Sequence, residues 1–450
     1  MTDSLNPAFV LKGAPLTEAI VAFAAMPAEA IPASARHVMR LSLLDWCAVA
    51  IAGKDEPVSR ITREMIEAEA GAPVASLVGS ARKVPARAAA LVNGATSHAL
   101  DYDDTHFDHI GHPSVAIVPA ALAMAEMTGA SGAAFLDAAL IGVEASVRIG
   151  TWLGREHYQH GFHQTATAGA FGAAIAAGRL ADLDDGAMAQ ALGIVATRAS
   201  GLKSQFGTMG KPYHAGMAAA NGVEAVLLAK TGFVSRPDGL ECEQGFGPTH
   251  AGAALPLGPV LDGLGSEFRF ERVQHKFHAC CHGTHAMLEA LAAVRGKIRS
   301  DDIETIAVTT HPRWLRVCHI LAPATGLEAK FSYRLTAAMA LSHVDTGALA
   351  SFTDALCADP ALASLRDRVA VETDETLPDT ATRVRIRLRN GEGLEQAFDL
   401  DAPLPVEVRE AKIRAKAASL LGAERAETFW KAIAGLDEGR AVGLGSMLAG

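Results

Sequence analysis

Aromatic residues are scarce in this sequence, at 5% of 450 residues, although hydrophobic residues make up 50% of it. Alanine and aliphatic side chains therefore supply most of the apolar surface, which favours closely packed helices. No apolar run approaches the roughly 18 residues that cross a bilayer, so we expect no membrane partner. Residues 1–13 lack the basic and apolar succession of a secretion signal, and we predict a cytoplasmic protein.

Cysteine and positive charge are also in short supply. The 6 cysteines include no C-x-x-C pair, which predicts free thiols rather than a disulfide framework. Against 50 Asp and Glu there are 40 Lys and Arg, and the formal net charge of -10 argues against a nucleic-acid partner. A small anionic substrate would therefore need a local concentration of positive charge.

Several cofactor and nucleophile motifs are missing. No G-x-G-x-x-G follows a strand to bind a dinucleotide, and no G-x-S-x-G offers an acyl-transfer serine. Residues 207–212 resemble a phosphate-binding loop, but the first Gly is absent and Pro212 replaces the Ser or Thr that binds magnesium. Lys211 could in principle form a Schiff base with pyridoxal phosphate. We nevertheless predict that the protein uses no cofactor.

The sequence changes character near residue 267. Before this point helical patterns follow one another with no convincing strand; in residues 32–52, for example, Pro32 opens a helix that Gly53 ends. Beyond it, short β-branched runs predict strands, and a helical pattern returns after Pro405. The predicted strands are residues 303–310, 369–372, 382–389 and 394–400. Arginines alternate with apolar residues in the third of them, which is typical of the solvated face of a half-buried sheet and gives them no catalytic role.

These patterns together predict a mainly α fold with two domains. The large all-helical domain comprises residues 1–268 and 403–450. The smaller α+β domain, residues 269–402, is inserted into it.

Titratable side chains concentrate in four segments beside Gly or Pro, where a loop can enter a helix and present N–H groups to an anion. In the first, SHALDYDDTH begins at Ser97 and is followed by HPS at His112. The others are GFHQT from Gly161, GKPYHAG from Gly210 and KFHACCHGTH from Lys276. His163, in the second segment, would lie at the positive end of a helix dipole.

The first segment could also be read as a binuclear metal site. Its oxygen and nitrogen donors are Asp101, Asp103, Asp104, His106, Asp108, His109 and His112. Adjacent acids on a regular element point in different directions, however, and no second cluster of donors completes a shell. We therefore predict no metal.

Taken in order, these segments resemble the signatures of the MmgE/PrpD family. The resemblance extends to GFHQTATAG from Gly161, to AKFSYRL from Ala329 and to LLDWCAVAIAG from Leu43, and so runs essentially the full length of the chain. It implies a helical domain built from both termini, an inserted α+β domain, a homodimer, and a metal-free site at the domain interface.

The resemblance also implies the site residues and the chemistry. The pocket residues of the family fall on Asp101, Thr105, His112, His163, Lys211 and Lys276, to which we add Cys281 and Tyr333 as substrate-binding candidates. His163 and either Asp101 or His112 would form an acid/base pair, while Lys211 and Lys276 would bind the carboxylates of a small polyanion. His214, His282 and His285 are expected to be structural.

The implied reaction is proton abstraction beside a carboxylate of a small polycarboxylate. Within the family, the chain resembles the epimerases that act on iminodisuccinate, and this resemblance implies the same activity. A hydro-lyase like 2-methylcitrate dehydratase is the alternative, and a decarboxylase is a third outcome of the same chemistry. Two departures argue against these lyases: Leu335 replaces a tyrosine of relatives, with Tyr333 two residues earlier, and Cys281 replaces a histidine of the decarboxylases.

Overall fold

Helices form most of this protein, as its alanine-rich composition predicts. The computed structural model describes residues 15–251, 255–439 and 441–449, so residues 1–13, on which the prediction of no secretion signal rests, lie outside the described residues. The helices are α1 Leu16–Ala24, α2 Ala33–Ala52, α3 Pro57–Glu69, α4 Ala86–Ser97, α5 Ser114–Thr128, α6 Gly132–Gln159, α7 Gln164–Leu180, α8 Asp185–Ala196, α9 Gly210–Lys230, α10 Phe246–Ala251, α11 Gly258–Leu261, α12 His285–Ala292, α13 Gly326–Ala329, α14 Tyr333–Leu341, α15 Asp354–Cys357, α16 Pro360–Arg366, α17 Val406–Leu421, α18 Ala423–Ala434 and α19 Ala441–Met447. The strands are β1 Ala75–Leu77, β2 Ser80–Val84, β3 Ile303–Thr310, β4 Val369–Thr373, β5 Ala381–Leu388 and β6 Gly393–Asp399.

The chain divides into two units, the first formed by Met1–His275 with Leu421–Gly450 and the second by Lys276–Leu420. The boundaries that we predicted, 269 and 402, both fall before these. Residues 269–275 belong to the first unit because Gln274 pairs with Thr105, whose N–H donates to the Gln274 carbonyl over 2.8 Å. The helix α17 belongs almost entirely to the second unit, although its helical pattern had led us to group it with the helical domain.

A small β-hairpin interrupts the helices of the first unit, so the prediction of an all-helical domain is wrong at this point. The antiparallel strands β1 and β2 are joined through Gly79, whose φ of 73° falls in the left-handed region that favours glycine. Strands of three and five residues are too short for an alternating pattern to stand out in a sequence. The predicted helix at residues 32–52 is confirmed, with Pro32 as the N-cap residue of α2.

Glycines allow the helices of the first unit to pack closely. A Cβ atom on Gly94 of α4 would lie 2.7 Å from the Cα of Gly216 on α9, and one on Gly172 of α7 would lie 2.5 Å from the carbonyl oxygen of Gly142 on α6. Real Cβ atoms do not approach so closely, and therefore these positions require glycine. The first crossing brings the chain that leaves α4 beside the beginning of α9.

Arg148 of α6 anchors α11 and the segment that follows it. Its guanidinium is fully buried, donates to the Glu144 carboxylate over 2.6 Å, and also donates to the carbonyl oxygens of Val260, Asp262 and Glu267. The same Glu144 accepts the N–H of Phe270 over 2.8 Å. A buried ion pair whose remaining hydrogen-bonding groups are satisfied in this way fixes the path of the chain towards Gln274.

The second unit contains a four-stranded sheet with the order β4-β3-β5-β6. The strand β3 pairs with β4 in parallel and with β5 antiparallel, and β5 pairs antiparallel with β6. The four predicted strands are thus confirmed to within a residue or so at their ends. Alternate arginines of β5 form ion pairs across the solvent-facing side of the sheet, which confirms the predicted solvated face: Arg383 with Glu395, Arg385 with Glu372 and Arg387 with Glu304.

In the part of the chain described here, no helix combines the length and the hydrophobicity that spanning a membrane requires. All six cysteines are free thiols, as predicted.

Candidate functional site

The candidate site is built around the irregular segment between α4 and α5. His98 caps the end of α4, and Asp101 then adopts a φ of 49°, which turns the chain sharply. The carboxylate of Asp104 accepts the N–H of Ser114 over 3.2 Å and its hydroxyl over 2.5 Å, which holds the segment against the start of α5. The N–H of His112 donates to the Thr165 hydroxyl over 3.0 Å and so ties the segment to α7 as well.

One buried carboxylate in this segment contacts two imidazoles. His98 Nδ1 lies 2.9 Å from Asp103 Oδ1, and His112 Nδ1 lies 2.8 Å from Asp103 Oδ2. The side chain of Asp103 is only 1% exposed, and that of His112 is 11% exposed. Burial alone would raise the pKa of Asp103, but His98 and His112 more than offset it and hold this pKa well below its usual range. Asp103 is therefore an anion between two histidines.

A second carboxylate, Asp101, faces the beginning of α9. Lys211 Nζ lies 2.7 Å from Asp101 Oδ1, and His112 Nε2 lies 3.5 Å from the same oxygen. The Asp101 side chain is 44% exposed, whereas that of Lys211 is 16% exposed. The ammonium group thus lies next to a carboxylate that solvent, and therefore a solute, can reach.

His163 is the N-cap residue of α7, which is the helix end that we predicted for it. Its Nδ1 lies 3.1 Å from Nδ1 of His214, so one ring must donate and the other accept. Phe206 packs edge-on against His163 with ring centroids 5.0 Å apart. Sequence patterns gave His214 no role beyond a structural one, yet it is the direct partner of His163.

Burial keeps the imidazoles of His112, His163 and His214 neutral near pH 7. It lowers the pKa of His112 to about 4 even though Asp103 acts in the opposite direction. It also lowers the pKa of His163 well below the usual range, and the charge of Lys211 adds to this effect. The pKa of His214 is lowered as well, first by burial and then by His98 and Lys211. Neutral imidazoles can accept a proton at one nitrogen and donate one at the other.

The same side chains could hold a cation. His98, Asp101, Asp103 and His112 each offer one ligand atom, and these atoms lie within 4.8 Å of one another. Asp101 and Asp103 therefore do not point in different directions, as we had predicted for acids in this run, because the left-handed turn at Asp101 departs from any regular element. Lys211 already supplies a positive charge to Asp101, and a metal ion would have to compete with that ammonium group.

Thr105 is half-buried, and its backbone pairs with Gln274. The three other predicted binding residues belong to the second unit. Lys276 is buried, and Cys281 is half-buried beside the thiol of Cys318. The Tyr333 hydroxyl is buried and donates to the Gly283 carbonyl over 2.5 Å. This bond gives Tyr333 a structural partner, and a role in substrate binding stays a prediction for all of these residues.

The structure thus brings together Asp101, His112, His163 and Lys211. It adds His98, Asp103 and His214, which we had not predicted as catalytic or substrate-binding residues. All three lie within the motifs quoted above, in SHALDYDDTH and GKPYHAG. That location was the available signal, but periodicity could not show which side chains of an irregular segment face one another.

Comparisons with known proteins identify the family of the chain. The model of the MmgE/PrpD N-terminal domain matches residues 19–255, and that of the MmgE/PrpD C-terminal domain matches residues 278–438. The chain is 27% identical to the cis-aconitate decarboxylase of Aspergillus terreus over 441 residues, which cover 90% of each chain. It is also 27% identical to the cis-aconitate decarboxylase of Homo sapiens over 383 residues, covering 79% of this chain and 78% of the human one. The protein therefore belongs to the MmgE/PrpD family.

Proposed function

We propose that this protein is an enzyme that transfers a proton at the carbon beside a carboxylate of a small polycarboxylate, and that it epimerises iminodisuccinate. The main support is the pair Asp101 and Lys211 next to the neutral imidazoles of His112 and His163. In this proposal Lys211 binds a substrate carboxylate and stabilises the enediolate that forms when the adjacent proton leaves. The two imidazoles supply the base and the acid.

Epimerisation needs proton transfer on both faces of one carbon. The base breaks the C–H bond, the electron pair delocalises into the carboxylate, and an acid returns a proton to the opposite face, so nothing is oxidised or reduced. Two neutral imidazoles held by different partners fit this requirement, because one can be a proton acceptor while the other is a donor. Thr105, Lys276, Cys281 and Tyr333 are proposed to bind the rest of the substrate.

Decarboxylation is the second candidate, and the names of the relatives favour it. Loss of CO2 from a compound such as cis-aconitate leaves the same kind of carbanion, which Lys211 would stabilise and an imidazole would protonate. The decarboxylases of the family have a histidine at the position of Cys281, and this difference favours the epimerase instead. A hydro-lyase acting on 2-methylcitrate is the remaining member of this group of reactions.

Proton NMR in deuterated water separates these reactions, with iminodisuccinate, cis-aconitate and 2-methylcitrate in parallel tubes. We expect the stereoisomers of iminodisuccinate to interconvert while deuterium enters only the carbon that carries nitrogen and carboxylate. Turnover of cis-aconitate to a product with one carboxylate fewer, or of 2-methylcitrate to an alkene, with iminodisuccinate unchanged, would contradict the epimerase.

Variants of Lys211 test its role in whichever reaction is found. We expect Lys211→Met to lower kcat/KM by about 10²–10³-fold, which is typical for loss of a group that stabilises developing charge. Lys211→Arg should retain part of the activity because the charge remains. Lys230→Met, at the other end of α9, is the matched control and should leave turnover unchanged.

Metal and cofactor alternatives have direct tests. Loss of activity with a chelator that zinc or manganese restores, together with metal bound to the purified protein, would favour the cluster of His98, Asp101, Asp103 and His112 as a metal site. Visible absorbance of the purified protein would reveal pyridoxal phosphate.

We also propose that the second unit is a domain inserted into the first, which is supported by its continuity in sequence between the two parts of the first unit. A cytoplasmic homodimer is the form that we expect in solution, and light scattering during gel filtration measures its mass.

A further inference from the structure

Asp103 is a buried carboxylate of the candidate site, and both of its close contacts are to imidazole Nδ1 atoms. His98 and His112 each turn Nδ1 towards it, over 2.9 Å and 2.8 Å. A lone pair on nitrogen would repel a carboxylate oxygen at this separation. Nδ1 of His98 therefore carries its hydrogen, and the same repulsion favours a hydrogen on Nδ1 of His112, although the contact of His112 with Asp103 Oδ2 lacks hydrogen-bond geometry.

This arrangement fixes the other nitrogen of His112. With the single hydrogen of the neutral ring on Nδ1, Nε2 holds a lone pair, and it faces the Asp101 and Lys211 side of the site, 3.5 Å from Asp101 Oδ1. The two nitrogens of His112 therefore lie next to different groups. Nδ1 lies next to the Asp103 anion, and Nε2 faces the accessible Asp101 carboxylate and the Lys211 ammonium group.

We propose that Asp103 is a positioning residue that holds His112 in the Nδ1–H form, so that Nε2 of His112 is the base that takes the substrate proton. The assignment rests on the proposed function, which needs such a base. When Nε2 accepts the proton, the ring becomes an imidazolium next to the Asp103 anion, and the attraction between them stabilises the new charge. Asp103 itself remains ionised throughout.

His98 contributes to this arrangement because it contacts Oδ1, the carboxylate oxygen of Asp103 that does not face His112. Because His98 holds Oδ1, Oδ2 is directed at His112. The Nε2 atom of His98 is buried and has no hydrogen-bond partner among the described residues, so His98 acts on the site through Asp103. His163 is then left for the opposite face, where its contact with His214 allows it to carry hydrogen on Nε2 and act as the acid.

The neighbouring carboxylate, Asp104, provides a matched control. It is as buried as Asp103, but it accepts hydrogen bonds only from Ser114 among the bonds that the structure shows. In Asp104→Asn the amide oxygen can still accept the Ser114 N–H, and the amide N–H can donate to the Ser114 hydroxyl oxygen. We expect Asp103→Asn to lower kcat by about 10²–10⁴-fold with KM changed little, the range seen when a general base loses its orienting carboxylate. Asp104→Asn should stay within about threefold of the wild-type kcat.

Two further readouts separate positioning from a loss of structure. Nitrogen-15 NMR of histidine-labelled protein, with the His112 signal assigned through His112→Gln, should show Nδ1–H in the wild type and a shift towards Nε2–H in Asp103→Asn. The acidic limb of the pH profile of kcat/KM should move to lower pH in Asp103→Asn, because the imidazolium loses its carboxylate.

Should Asp103→Asn fail to fold, His98→Gln is the second variant. This variant leaves Asp103 charged but removes one of the two imidazoles that contact it. The Asp103 charge then stabilises the His112 imidazolium more strongly, and the acidic limb of the pH profile of kcat/KM should move to higher pH. Normal kcat in folded Asp103→Asn, or an unchanged His112 signal in that variant, would overturn the inference while leaving the proposed reaction intact. If the wild type turns over none of the three substrates, the proposed function fails, and the NMR signal still tests the link between Asp103 and His112.

Discussion

The buried histidine His109 makes a quantitative prediction about stability and pH. Its ring is fully buried, and Nε2 lies 3.0 Å from the Ser146 hydroxyl. A Cβ atom on Gly111 would lie 2.7 Å from His109 Nδ1, and one on Gly150 would lie 2.5 Å from its Cδ2, so the ring is packed on both sides. Burial lowers the pKa of His109 to about 3 from an ordinary value of 6.5. Water cannot reach the ring without opening the fold.

The sign and size of the effect follow from proton binding. The unfolded chain binds a proton at His109 below about pH 6.5, whereas the folded protein does not until about pH 3, so this part of the stability is complete at neutral pH and is lost as the pH falls. Between pH 7 and pH 5 the free energy of unfolding should fall by roughly 2 kcal/mol from this residue alone.

Urea unfolding at pH 7, 6 and 5, followed by tryptophan fluorescence and checked by refolding, measures this slope. His109→Gln should be less stable than the wild type at pH 7 but should lose roughly 2 kcal/mol less on acidification. His160→Gln is the control, because His160 is exposed at the end of α6. If His109→Gln and the wild type lose equal stability between pH 7 and pH 5, His109 is not a buried neutral ring and the reasoning is refuted.

Other predictions concern packing and buried charge. In Gly216→Ala the new Cβ would lie 2.2 Å from the Leu91 carbonyl oxygen, so we expect a clear drop in melting temperature and, if the site is catalytic, in kcat. Gly186→Ala, where the nearest atom is 3.4 Å away, should be neutral or slightly stabilising, and equal melting temperatures for the two variants would contradict the close crossing. Arg148→Met should cost about 3–5 kcal/mol because Glu144 keeps a buried charge without its partner. Adding Glu144→Gln should recover part of that loss in thermal denaturation, and no recovery would show that packing rather than charge dominates.

The sequence was most informative where a pattern extends over many residues. The helix at residues 32–52 and the strand of residues 303–310 match α2 and β3 closely, because periodicity and punctuation act locally. The hairpin of β1 and β2 escaped notice because each strand is too short to show a period. The pairing of Gln274 with Thr105 escaped notice for another reason: it joins residues far apart in sequence, which no local pattern can indicate.

The candidate site shows the same limit. Motifs located Asp101, His112, His163 and Lys211, and the structure places these close to one another. The contact of Asp103 with two histidines could not be predicted, since it depends on one left-handed residue and on how α4, α5 and α7 meet. The residue types of a site can be predicted from a sequence. The hydrogen-bond partners that determine the protonation of each side chain can be identified only when the path of the backbone is known.

The left-handed backbone of Asp101 determines which experiments on that residue can be interpreted. Only glycine, and to a lesser degree Asn and Asp, adopt such a conformation readily, and most other side chains cost roughly 1 kcal/mol or more there. An alanine at this position would therefore remove the carboxylate and disturb the turn in one step. Asparagine keeps both the shape and the backbone preference, so Asp101→Asn reports on the negative charge alone. A glycine would suit the turn best, whereas Asp at this position places a carboxylate oxygen 2.7 Å from Lys211 Nζ at some cost to the backbone.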